Sequence, residues 1–164
     1  MSEVVYREAE KETPRVLRML ALLWGSFFFT GFAPIASGTV GSLAALALYW
    51  VLPFTDNGVI LLLLAFSIAL TGIPAATVLE REYGDDPSIV VVDEAAGMWL
   101  ALCFLPKTLL AAGIAFLLFR LFDIVKPSPA RQFDRMRGGG GIIMDDVVAG
   151  VYACVATHIV LLFL

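Results

Sequence analysis

Residues 58–78 read GVILLLLAFSIALTGIPAATV, and this stretch decides the fold class. It carries no charged side chain, and a helix of that length rises roughly 30 Å, the thickness of a bilayer's hydrocarbon core. Similar but shorter apolar runs lie on both sides of it, at Leu17–Phe32, Ser42–Phe54, Ala95–Leu105, Thr108–Val125 and Val147–Leu164. Pro34, Pro53, Pro87, Pro106, Pro127 and the run Gly138–Gly141 punctuate them. Alternating strand periodicity is absent, so the runs predict helices rather than a transmembrane barrel. Pro74 is expected to kink the central helix or end it early.

The whole chain supports that reading. Of its 164 residues 60% are hydrophobic and only 16% charged. No core of this size hides so much apolar surface from water, so lipid must cover the rest. The fold class predicted is all-α: a compact integral membrane bundle of about six hydrophobic helices, some too short to span. Residues 1–16 form a polar tail and 17–164 one membrane-embedded unit. The tail mixes acidic and basic residues and lacks the short basic start of a cleavable signal peptide.

A net charge of −4 offers no basic stripe for a phosphate backbone, which excludes nucleic acid as a partner. Cys103 and Cys154 stand apart inside apolar runs, with neither metal-ligand spacing nor the Cys-x5-Arg loop of a thiol phosphatase. His158 is the single histidine and reads as a core or interface residue.

Polar residues concentrate in alternate connections. The first (33–41), third (79–94) and fifth (126–146) hold most of the Gly, Asp, Glu, Lys and Arg beyond the tail, whereas 55–57 and 106–107 are minimal. Helices running up and down then place the three rich connections on one face. Arg81, Lys126, Arg131, Arg135 and Arg137 against Lys107 point that face to the cytoplasm. Arg7, Lys11, Arg15 and Arg18 conflict with this if Leu17–Phe32 spans, so that run is expected to lie along the interface or dip in and out.

Four clusters on the polar face carry candidate chemistry. Ser37-Gly38-Thr39-Val40-Gly41-Ser42 opens a helix with hydroxyls and free N–H groups, suited to an anion, with Thr39 and Ser42 as phosphate ligands. Asp93-Glu94 and Asp145-Asp146 each head an apolar helix, where one carboxylate serves the helix dipole and a second has no such purpose. Arg120, Asp123 and Lys126 recur every three residues near the end of an apolar run. Charge at the edge of a greasy bundle is expensive and reads as functional. Asp93, Glu94, Asp123, Asp145 and Asp146 are therefore candidate catalytic residues and metal ligands, and Arg120, Lys126 and Arg131 candidate phosphate ligands. Oxygen-only donors beside phosphate-binding cations select Mg²⁺ over zinc.

The segments GTVGS, DPSIVVVDEAAG, FRLFDIVKPSPARQFDR and GGGGIIMDDVVAG resemble, in order and approximate spacing, the phosphatidylglycerophosphatase A family. The resemblance covers the chain from about Gly31 onward. It implies a Mg²⁺-dependent phosphatase of the bacterial inner membrane that removes the terminal phosphate of phosphatidylglycerophosphate. It places the family's acidic positions on Asp93, Glu94, Asp123, Asp145 and Asp146, and its basic ones on Arg120, Lys126 and Arg131. Ser37 and Ser128 depart from the family's usual proline and aromatic residue. The alternative is a small cation or phosphate carrier that uses the same carboxylates as its transport site, although no internal repeat supports one.

Overall fold

The computed structural model describes residues 13–164; most of the polar tail, with Arg7 and Lys11, lies outside the described residues. The described residues form seven α-helices and two 3-10 turns, with no strand among them. The helices are α1 (Arg15–Gly25), α2 (Ser37–Val51), α3 (Gly58–Tyr83), α4 (Val92–Ala101), α5 (Leu109–Val125), α6 (Ala130–Asp134) and α7 (Gly139–Leu161).

The central apolar stretch becomes α3. Asn57 starts it, its Oδ1 accepting from the amides of Val59 (3.0 Å) and Ile60 (3.2 Å), which satisfies two donors that a helix start leaves free. Gly84 ends it with φ of 98°, a conformation cheap only for glycine. Pro74 does not stop the helix, which continues to Tyr83. Its ring faces outward, beside the groove between α1 and α3 rather than in the packed core. α5 starts on Thr108, whose hydroxyl accepts from the amide of Ala111, and stops at Lys126 (φ 48°), just ahead of Pro127.

The hub is α4. Only ten residues long, it packs against α2, α3, α5 and α7, and every one of its residues except Glu94 is buried. Trp99 donates from its indole N–H to the Ala45 carbonyl at 2.8 Å, tying α4 to α2. A helix too short to cross a bilayer is thus sheathed by longer ones. Of these, α3 and α7 are long and apolar enough to cross a membrane. Large apolar side chains cover the outside, among them Leu63, Leu70, Leu117 and Ile124, each more than 60% exposed. The architecture is that of a membrane helical bundle, as its composition predicts.

α2 begins at Ser37, so the Ser-Gly-Thr segment forms its first turn, as read from the sequence. The start of α7 differs from expectation. The glycine run, expected as a flexible loop, is its opening turn, so Asp145 and Asp146 lie well inside the helix rather than at its head. Close approach explains two of those glycines. A Cβ on Gly139 would sit 2.6 Å from the Thr77 amide, and one on Gly141 would press on the carbonyls of Phe133 and Met136.

Candidate active site

α4 and α7 bring their carboxylates to one end of the bundle through backbone contact below the site, and α5 joins them with the Phe119 ring against Gly97. Gly97 lies one turn beyond Asp93, and Gly150 one turn beyond Asp146. The two glycines face each other: a Cβ on Gly150 would lie 3.0 Å from Gly97 Cα, and one on Gly97 would lie 2.6 Å from the Asp146 carbonyl. Helices this close carry side chains at the same level into the same space. Asp93, Glu94 and Asp146 each place a carboxylate oxygen within 4.8 Å of the others.

These three surround one side of a cavity of about 310 Å³, whose wall also includes Ser37, Gly38, Asp86, Arg120, Asp123, Lys126 and Asp145. The rich connections do converge, as the alternation of polar loops predicts. Asp93, Asp145 and Asp146 are all buried, at 8%, 6% and 3% exposure. Asp93 Oδ1, Glu94 Oε2 and Asp146 Oδ2 have no hydrogen-bond partner, and neither does Arg120 Nε. Buried carboxylate oxygens without donors are costly, because nothing replaces the water they lost. Three of them together fit a hard divalent cation, which takes oxygen ligands and would cancel their mutual repulsion.

The cationic side is built separately. Arg120 pairs with Asp123 at 2.9 Å, one turn along α5, and its Nη1 also reaches the Ser42 hydroxyl at 3.3 Å. Ser42 in turn donates to the Gly38 carbonyl, linking α5 to the first turn of α2. Lys126 bridges Asp134 on α6 (2.6 Å) and Asp145 on α7. Burial alone would lower its pKa. Hydrogen bonds to Asp134 and Asp145 outweigh that and hold it above the usual lysine range, so the ammonium stays charged.

Of the ten residues singled out from the sequence, seven line this cavity: Asp93, Glu94, Asp123, Asp145, Asp146, Arg120 and Lys126. Ser42 is buried behind Arg120 rather than in the wall. Thr39 and Arg131 are not among the lining residues; Arg131 lies exposed on α6 and donates to the Val125 carbonyl. Gly38, Asp86 and Asp134 acquire roles that went unassigned. Gly38 leaves room that a methyl group would take from Glu94 Oε1, with Arg120 Nη2 3.2 Å away. Gly38→Ala is therefore expected to lower kcat/KM on the order of 10²-fold while the protein still folds, the scale that attends small displacements of catalytic groups. Wild-type kinetics in that variant would show that the Glu94–Arg120 spacing does not matter. A second, smaller cavity of about 170 Å³ shares Asp86 and Asp145 with the first and extends toward Glu80, Arg135 and Arg137.

The sequence profile of the phosphatidylglycerophosphatase A family matches residues 23–161. A Bacteroides thetaiotaomicron protein that carries the provisional name phosphatidylinositol-3-phosphatase is 45% identical over 141 residues, covering 82% of this chain and 89% of that one. The proteins named phosphatidylglycerophosphatase A of Escherichia coli and Haemophilus influenzae are 39% and 35% identical, over 76% and 85% of this chain and 73% and 85% of their own. No solved structure matches the chain. A membrane helical bundle with buried carboxylates and two cations around one cavity is an arrangement suited to a lipid phosphatase. The chain belongs to the phosphatidylglycerophosphatase A family. That membership sets the carrier alternative aside in favour of an enzyme.

Proposed function

We propose that this protein hydrolyses the terminal phosphate monoester of phosphatidylglycerophosphate, giving phosphatidylglycerol and phosphate, with residues 17–164 as the catalytic unit. The observation that carries the reading is the set of partnerless buried oxygens on Asp93, Glu94 and Asp146, three residues that line one cavity together with Arg120. The same set supports Mg²⁺ as cofactor, with those three residues as the ligands best placed to hold it and Asp123 and Asp145 beside them. When bound, the ion polarises the phosphoryl oxygens and lowers the pKa of water.

The chain's own residues do the rest. Arg120, which lines the cavity and whose buried Nε has no partner, and Lys126 offset the negative charge that spreads over the phosphoryl oxygens. Asp123 and Asp145 hold those cations in place through ion pairs. One of these two carboxylates takes the proton of the attacking water as the P–O bond to the lipid breaks, and passes that proton to the departing alcohol oxygen. The adjoining cavity gives the head group room beside the reacting phosphate. The excess of Arg and Lys at this end supports a site facing the cytoplasm from the bacterial inner membrane.

Phosphate release in mixed micelles tests the reading. Release from phosphatidylglycerophosphate that needs Mg²⁺, stops with EDTA and is small from phosphatidic acid is the expected result. The name of the Bacteroides relative motivates a third substrate, phosphatidylinositol 3-phosphate. Faster hydrolysis of that lipid would move the assignment to phosphoinositides, and no release from folded protein with any of them would overturn it.

A further inference from the structure

Asp134 stands outside the phosphate cavity, yet it holds one of that cavity's two cations. It lines the smaller cavity, with Glu80, Arg135 and Arg137, and is not part of the wall that Asp93, Glu94 and Asp146 form. Lys126 lines the larger cavity, and its Nζ lies 2.6 Å from Asp134 Oδ1. Asp145, which lines both cavities, is the second partner of that ammonium. An ammonium carries three N–H donors. Two go to these carboxylates, and no third acceptor meets Lys126 Nζ among the described residues.

A lysine does not hold such a position unaided. Lys126 closes α5 with φ of 48°, so its side chain leaves the backbone at a fixed point, but a four-carbon stem still swings. A single ion pair to Asp145 would let the ammonium pivot about it, whereas partners on two helices fix both its place and its rotation. The short turn that carries Asp134 is braced accordingly. Tyr152 on α7 donates from its hydroxyl to the Ser128 carbonyl at 2.8 Å, and Ala130 is buried. A Cβ on Gly141 of α7 would lie 2.9 Å from the carbonyl of Phe133, the residue before Asp134. α6 is thus fastened near both of its ends to the helix that carries Asp145, and the two partners of Lys126 share one frame. Stability alone is a poor reason for the pair, because the Asp134 side chain is 37% exposed and ion pairs so open to water contribute little.

We propose that Asp134 is a positioning residue: with Asp145 it fixes the Lys126 ammonium so that the third N–H is offered to a phosphoryl oxygen, and it does so without adding negative charge to the wall of the phosphate cavity. The proposal rests on the phosphatase reading of the site and not on which lipid is hydrolysed.

Kinetics of Asp134→Asn, Lys126→Met and the double variant test it, on whichever phospholipid monoester the wild type hydrolyses. Calorimetric binding of inorganic phosphate with Mg²⁺ in detergent, and thermal unfolding, accompany them. Lys126→Met is expected to lower kcat/KM on the order of 10²-fold to 10³-fold, the scale for losing one donor to transition-state charge. Asp134→Asn keeps the shape and removes the charge. It is expected to lower kcat/KM on the order of 10-fold to 10²-fold, as a displaced group does, and to weaken phosphate binding, with the melting temperature nearly unchanged. In the Lys126→Met background the same change is expected to have no further effect. An equal loss in both backgrounds would show that Asp134 acts apart from Lys126 and overturn the proposal. A lowered melting temperature with phosphate affinity retained would overturn it too, by showing that Asp134 only fastens α6, as would wild-type kinetics in Asp134→Asn. In each of these cases the wild type still hydrolyses its lipid, and the phosphatase reading stands. Should the wild type neither hydrolyse a phospholipid monoester nor bind phosphate, that reading fails and the positioning role falls with it.

Discussion

Asp146→Asn is expected to lower phosphate release on the order of 10³-fold or more, while raising the melting temperature of the magnesium-free protein. The two effects share one cause. Asp146 is buried, its Oδ2 has no partner, and Asp93 and Glu94 lie within 4.8 Å. Asparagine keeps the shape and removes one of three clustered negative charges, relieving repulsion and desolvation that the empty cluster bears. Relief of about 1–2 kcal/mol corresponds to roughly 2–8 °C in a chain of this size. The same change removes an anionic ligand and part of the field that a divalent ion needs, and a loss of about 4 kcal/mol from the barrier is a 10³-fold loss of rate. Thermal unfolding in detergent with and without Mg²⁺, beside the kinetics, checks both. Magnesium should stabilise the wild type and leave the variant nearly unchanged. Full activity, or a melting temperature that falls without magnesium, would show that Asp146 is not part of a cation site.

The second large effect is expected at Gly150, which has no chemistry of its own. The three atoms nearest to a methyl group there are all backbone of Gly97: its carbonyl oxygen, and its Cα and carbonyl carbon at 3.0 Å. Backbone cannot rotate aside as a side chain does, so Gly150→Ala must push α7 from α4. Overpacking of this kind costs about 1–3 kcal/mol, and here it also separates Asp146 from Asp93 and Glu94. We expect a lower melting temperature together with loss of the magnesium-dependent stabilisation. Gly140→Ala is the control: nothing lies within 4 Å of its added methyl, and alanine favours the helix, so stability should hold or rise by a few tenths of a kcal/mol. Equal behaviour of the two variants would mean that the Gly97–Gly150 contact does not set the site.

Much of this was legible in one sequence, for identifiable reasons. Segments such as 58–78 declare themselves because burial in lipid demands unbroken apolarity, and ionisable groups beside them declare themselves because they are expensive. The convergence of the three polar connections followed from counting helices. Less visible was the meaning of glycine. Gly138–Gly141 looks like a loop in sequence, and only tertiary contact shows that Gly139 and Gly141 let α7 approach α3 and α6. Arg131 illustrates the limit of a shared motif. It shares a motif with Lys126, but α6 turns it outward to the Val125 carbonyl, while Asp134 three residues later comes back to Lys126. Spacing along a chain predicts a shared face within one helix and nothing across the turn after Pro127. The extent of α1 was equally hidden, because an apolar run ending at Phe32 does not reveal that the helix stops at Gly25.

The glycine contact beneath the carboxylates has a consequence for how such a protein changes over generations. Main chain touching main chain leaves no room for a side chain, so the inner geometry that holds the charges admits few substitutions. The second cavity is walled differently, by Arg135, Met136 and Arg137 on an exposed turn where replacements disturb little packing. On the proposed reading, added bulk is tolerated poorly around the reacting phosphate and readily around the head group, so such a site can be retuned for another head group without disturbing its carboxylates.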